Sequence, residues 1–283
     1  MKLTAPYTGI LSFLIVLFTM PLGHAAMILM ENLLGETHVY GAALLLGVLG
    51  VALLLLGIRA RSERNATFAG LFGGLFVWTG WVEFAYVYYA SRFGVAPLME
   101  GGEVVTKPEY LIMPSSIGFW AIMMLFYLFG VRTRCNFFCW IQRRLRLGER
   151  AAAVRNAALT TFMELNMLLW TCYIVLLLAY DKAFLGDRHP VTVCVAFGSL
   201  AWSVYLFTRL VRIRQIAYAI RYAIPTVIIF WTFVEILGRW NLLTEIWVDP
   251  SRYWLEMSVM SVAFLLLFAL LVVRRKRKGP EPS

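Results

Sequence analysis

Residues 38–58 read HVYGAALLLGVLGVALLLLGI, and residues 59–64 follow as RARSER. The first stretch carries no formal charge, and the second then sets Arg59, Arg61 and Arg64 within six positions. A bilayer core about 30 Å thick takes roughly 20 residues of helix. The segment is therefore long enough to cross a membrane, and the arginines behind it mark where it leaves. Reading outward with a window of about 19 residues predicts helices near 8–30, 38–58, 66–90, 114–131, 157–180, 190–208, 222–240 and 254–273.

The 283-residue chain is 61% hydrophobic and 15% charged, with a mean hydropathy of +0.74. Eight spans and short loops use nearly all of that length and leave no room for a sizeable soluble domain. The expected fold is all-α: a polytopic helical bundle over residues 1–273, ending in a short basic cytoplasmic tail at 274–283. The net charge of +10 does not point to nucleic acid, because the charges sit in short loops between apolar runs. The expected surroundings are the lipid bilayer, with partner subunits or a homo-oligomer.

Lys2, Arg59/Arg61/Arg64, the stretch Arg132 to Arg155, Arg209 to Arg221 and Arg274 to Lys278 hold 20 of the 26 basic residues, all after an even number of crossings. Arg92, Lys107, Lys182, Arg188, Arg239 and Arg252 hold the rest. Lysine and arginine are retained on the cytoplasmic side, so both termini are expected inside an inner membrane. Gly23-His24-Ala25-Ala26 loosely imitates a signal-peptide cleavage site, which would leave seven helices. The apolar run continues through Met27-Ile28-Leu29-Met30, as a spanning helix would.

Residues 40–84 can be laid over 193–236, matching Trp78-Thr79 and Val82-Glu83 to Trp231-Thr232 and Val234-Glu235 with a one-residue gap. Either this reflects two four-helix halves in parallel orientation, at 1–135 and 156–273, or it is chance among apolar segments. The glycines Gly41, Gly47, Gly50, Gly70, Gly73 and Gly74 are assigned to close helix packing.

Ionisable groups within spans are costly and usually functional. In the expected topology His24, Glu31, His38, Glu83, Glu109, His189, Glu235 and Glu256 lie in or near the outer half, and Glu164 lies nearer the cytoplasm. Glu83 stands among Trp78, Trp81, Tyr86, Tyr88 and Tyr89, and no basic residue follows it one turn away. Glu235 stands near Trp231 and Trp240, with Arg239 one turn on as a candidate ion-pair partner. His24 and Glu31, seven apart on one helix face, could join His38 in holding a metal such as iron, zinc or copper. Histidines near a membrane surface also serve as ordinary capping or hydrogen-bonding groups. Cys135 and Cys139 share a face, but four ligands are needed for a structural metal site, so their reading is packing.

The segment Lys107-Pro108-Glu109-Tyr110-Leu111-Ile112-Met113-Pro114 brackets an acid and an aromatic with two prolines, which stiffen it. It resembles the Pro-Glu-Trp-Tyr motif of the quinol-oxidation site in cytochrome b, without the tryptophan. The resemblance implies that Glu109 takes a proton from a quinol. It covers about seven residues, and three histidines in all do not supply that family's paired heme ligands. The helix count also resembles the cofactor-free quinone-interacting membrane subunits of the NrfD type, an analogy of architecture alone.

The expected function is a membrane subunit that binds a quinol or another lipophilic substrate near the outer face. Glu83, Glu109 and Glu235 would be its proton acceptors, a histidine its relay, and Tyr110, Trp78 and Trp81 its ring contacts. The alternatives are a proton-coupled secondary transporter using Glu83 and Glu235, with Pro225 as a candidate helix break; a metal-dependent enzyme on His24, His38 and either Glu31 or Glu83; and a scaffold subunit. No nucleotide loop, nucleophile elbow or histidine box occurs.

Overall fold

A computed structural model describes residues 5–100, 103–130, 142–145, 156–182 and 184–276. Cys135, Cys139, Lys2, most of the basic stretch 132–155 and the end of the basic tail lie outside the described residues. The fold is an all-α multi-pass membrane bundle. Among the described residues seven helices are long and apolar enough to span: α1 (Ala5–Gly35), α2 (Thr37–Ile58), α3 (Glu63–Arg92), α4 (Pro108–Phe129), α5 (Ala157–Tyr180), α6 (Pro190–Leu210) and α7 (Ile216–Arg239). An eighth, α8 (Trp254–Lys276), has a shorter apolar stretch, Trp254–Leu270. A small antiparallel hairpin pairs β1 (Leu98–Glu100) with β2 (Glu103–Thr106) ahead of α4.

The helix ends follow from local chemistry. Gly35 breaks the chain between α1 and α2 at φ +61 and ψ 177, a backbone region that is essentially glycine's alone. Asn156 begins α5, its side chain accepting from the amides of Ala158 and Leu159 at 2.9 and 3.2 Å. The Asn156 side-chain Nδ2 donates to the Ile58 carbonyl at 2.8 Å, which ties the end of α2 to the start of α5. Hydroxyls inside the helices turn back onto their own backbone, as Thr161 does to Ala157 and Thr171 to Met167. In an apolar surround this satisfies hydroxyls that lipid could not.

The chain packs as two compact units, Tyr40–Thr192 on one side of the division and Met1–Val39 with Val193–Ser283 on the other. In the unit 40–192, glycines set the helix spacing. Gly50 of α2 lies against the Gly73 carbonyl of α3, and Gly70 and Gly74 of α3 lie against Ala158 and Leu165 of α5. Without a Cβ the backbones approach closely, which is how helices associate where the solvent is as apolar as the side chains. Gly41, by contrast, faces open space.

In the other unit Gly9 of α1 lies against Leu210 and Val211, and the Phe13 ring meets those of Phe207 and Phe230 at 5.0 and 6.1 Å. The α6–α7 crossing is fixed by Ser203, whose hydroxyl donates to the Thr226 carbonyl at 2.8 Å. α7 runs unbroken through Pro225.

Candidate functional site

The site residues of the unit 40–192 gather where α3, α4 and α5 meet. Within α3, residues Trp78–Glu83 form a π-helical turn. The Trp78 indole Nε1–H donates to Glu83 Oε1 at 2.9 Å, with both side chains buried. An indole N–H aimed at a carboxyl group satisfies a polar group that would otherwise cost several kcal/mol in hydrocarbon.

Trp78 is enclosed by α5. Its ring stacks on Tyr173 at 5.6 Å and meets Trp170 edge-on at 6.0 Å. Tyr110, in the first turn of α4, stacks on the other side of this series, 6.1 Å from Tyr173 with their planes 11° apart. Pro108 opens α4, and Glu109 follows it, buried to 7% exposure. A carboxylate in a first helical turn is favoured by the partial positive charge of the exposed amides.

Polar links continue between α4 and α5. Trp170 Nε1 donates to Ser116 Oγ at 2.8 Å, and Tyr86 of α3 shares a side-chain hydrogen bond with the same serine. Trp120 Nε1 donates to Thr171 Oγ1 at 3.0 Å, and the Tyr127 hydroxyl to Glu164 Oε1 at 2.8 Å. These separate hydrogen bonds tie α4 to α5 at three positions along the interface.

The structure joins Glu83, Trp78 and Tyr110 through Tyr173 and sets Glu109 beside Tyr110. It puts Trp81 elsewhere. That ring lies on an exposed groove with Tyr40, Leu44, Phe84, Tyr88 and Tyr89, and its Nε1 donates to the Leu44 carbonyl at 3.1 Å. Gly47 makes that reach possible, because a Cβ there would overlap the indole.

Glu235 belongs to the other unit. It accepts from Trp231 Nε1 at 2.6 Å, and the Trp231 ring packs 4.8 Å from Trp247. Trp247 is buried with Ala25 and Met257, and Leu22, Val234 and Ile246 pack around them. Arg239 acts on Glu245, in the loop after α7: burial pushes the Glu245 carboxyl above its ordinary value and Arg239 opposes the rise.

His38 is exposed and His24 and Glu31 are half-buried on α1. Among the described residues no three His, Cys, Asp or Glu side chains come together as a metal would require, so His24, Glu31 and His38 do not converge.

Sequence reading passed over Trp170, Tyr173, Ser116 and Glu245. Asn166, Trp170 and Tyr173 recur at helical spacing on α5, a signal that could have been found. Ser116 and Glu245 carry none. Comparison of the chain with protein-family models, curated proteins and solved structures finds no match.

Proposed function

We propose that the chain is a subunit of the cytoplasmic (inner) membrane, with both termini on the cytoplasmic side, that binds a quinol or another lipophilic hydroxylated ring where α3, α4 and α5 meet. The observation that carries this reading is the buried Trp78–Glu83 hydrogen bond, linked through the Trp78–Tyr173–Tyr110 ring series to the first turn of α4, where Glu109 is also buried. Flat aromatic faces suit a flat ring. Two carboxyl groups at its edge suit the release of two protons, by general-base transfer from the ring hydroxyls. The two electrons of quinol oxidation would pass to a partner subunit carrying redox cofactors. The Pro-Glu segment that opens α4 supports an outer location for the mouth of the site, as does the distribution of basic loops.

The test is calorimetric titration of the protein in lipid nanodiscs with a short-tailed quinol analogue. Saturable binding is expected for the wild type, weakened about tenfold, or about 1.4 kcal/mol, by Glu83→Gln and by Trp78→Phe. Trp81→Phe should leave it unchanged. Absence of saturable binding, or an equal loss with Trp81→Phe, overturns the reading.

A second reading, proton-coupled transport, draws on the matching Trp231–Glu235 pair. Solute uptake driven by a pH gradient in proteoliposomes, abolished by both Glu83→Gln and Glu235→Gln, would replace the first reading with it.

A further inference from the structure

The one-residue gap between residues 40–84 and 193–236 has a physical form in the structure. At a constant offset, Gly50 corresponds to Ser203 and Gly73 to Thr226. Gly50 lies against the Gly73 carbonyl, and Ser203 donates to the Thr226 carbonyl. The two units therefore make the same helix crossing at the same register. Skipping Gly80 keeps the correspondence going: Trp81 falls on Phe233, and Leu44 on Phe197. Trp81 bonds to the Leu44 backbone, and Phe233 packs on Phe197 at 5.8 Å. Phe84 and Ile236, the next pair but two, are both fully buried.

The agreement extends to the helices that close each unit. Gly57 lies against Ala158 of α5, and its counterpart Leu210 lies against Gly9 of α1. Laying Ala158 on Gly9 puts Thr161 on Ser12 and Ala157 on Thr8. Thr161 donates to the Ala157 carbonyl at 2.7 Å, and Ser12 to that of Thr8 at 2.8 Å. The contacts thus run in parallel through three helices of each unit, α2-α3-α5 and α6-α7-α1.

Both units keep an indole bonded to a carboxyl group, Trp78 to Glu83 and Trp231 to Glu235, at 2.9 and 2.6 Å. In unit 193–283 the spacing is four residues, which an ordinary α-helix places on one face. In unit 40–192 it is five, which an ordinary α-helix would turn about 140° apart. The widened turn Trp78–Glu83 absorbs the extra residue and restores the pair. Gly80 is that residue. A Cβ on it would sit 2.5 Å from the Ala43 carbonyl oxygen and 2.7 Å from the Gly47 nitrogen, so a glycine is required. One-residue π turns are rare in helices and are frequent at functional sites. The surroundings differ in the same sense. Trp231 is capped by Trp247 in a packed apolar cluster, whereas the rings around Trp78 continue through Tyr173 to Tyr110 in the first turn of α4.

We propose that Gly80 is a positioning residue, an insertion that turned one of two equivalent indole–carboxyl pairs into the ligand site at Glu83 while Glu235 kept the structural form. The assignment of a ligand rests on the quinol reading above; the equivalence of the pairs does not.

The experiment deletes Gly80, and in a second variant inserts a glycine between Thr232 and Phe233. Each carboxyl group is read by its infrared stretch, as the difference from Glu83→Gln or Glu235→Gln, and quinol-analogue binding is measured alongside. Wild-type protein should show two distinct bands. Deleting Gly80 should bring the Glu83 band onto that of Glu235 and cost at least tenfold in binding; the insertion should move the Glu235 band towards that of Glu83. A Glu83 band unmoved by the deletion, binding weakened as much by Glu235→Gln as by Glu83→Gln, or failure of both variants to fold would overturn the proposal. If wild-type protein binds no quinol analogue, the functional reading fails, while the infrared comparison still decides the role of Gly80.

Discussion

Trp78 and Glu83 show how a buried carboxyl group is held inside an apolar helix bundle. The indole supplies the hydrogen bond that water would otherwise supply, and Tyr173 and Trp170 fix the plane of the ring. Trp78→Phe keeps the aromatic bulk and removes the donor. It should destabilise the protein by about 1–3 kcal/mol, measured as a shift in unfolding midpoint in detergent. Glu245 makes a different prediction. Its carboxyl is raised by burial and pulled back by Arg239, so the folded state disfavours the charged form. The stability this confers is fully present below the ordinary value of 4.5 and is lost as pH rises through the higher folded-state value. Glu245→Gln should flatten that fall in thermal midpoint with rising pH, and a slope identical to wild type would contradict it. Glu83, Glu109 and Tyr110 were legible because charge and proline are conspicuous in an apolar chain. Tyr173, Trp170 and Glu245 were not, because aromatics in spans and acids in loops are common, and only their neighbours set them apart.

Among the elements, α3 is the most informative. Its glycines face two helices at once, Gly73 towards α2 and Gly70 with Gly74 towards α5, so it is the fixed member of its unit. Gly70→Val would push α5 away at Ala158, and with it Tyr173 and Trp170. A loss of about 1–3 kcal/mol is expected for such overpacking, read by thermal unfolding together with reduced ligand binding. Gly41→Val, in the same kind of sequence pattern but facing open space, should be near neutral. Gly35→Ala should cost about 1–3 kcal/mol through backbone strain alone, since no side chain there meets a neighbour. Small residues at helical spacing announce close packing; which of them is at a contact depends on the rotation of each helix, which spacing leaves open.

For the molecule as a whole, the charge pattern gives a prediction about orientation. A fluorescent-protein fusion at the C-terminus should be bright, and an alkaline-phosphatase fusion near Lys107 should be active, if basic loops are retained inside. The reverse pattern would invert the proposed topology and put the mouth of the site on the cytoplasmic face. The sequence by itself determined the class of fold, since a bilayer requires about 20 apolar residues per crossing and such runs are visible without any contact information. It also offered a match of residues 40–84 to 193–236 with a one-residue gap, which by itself left repeat and chance equally open. Only the tertiary structure decided which helices form a unit, that Trp78 faces inward and Trp81 outward, and that residues Trp78–Glu83 wind as a π turn. Apolarity reports that a helix is buried in something, lipid or protein alike. The direction each side chain takes is set by the backbones packed beside it, which the chain brings together only on folding.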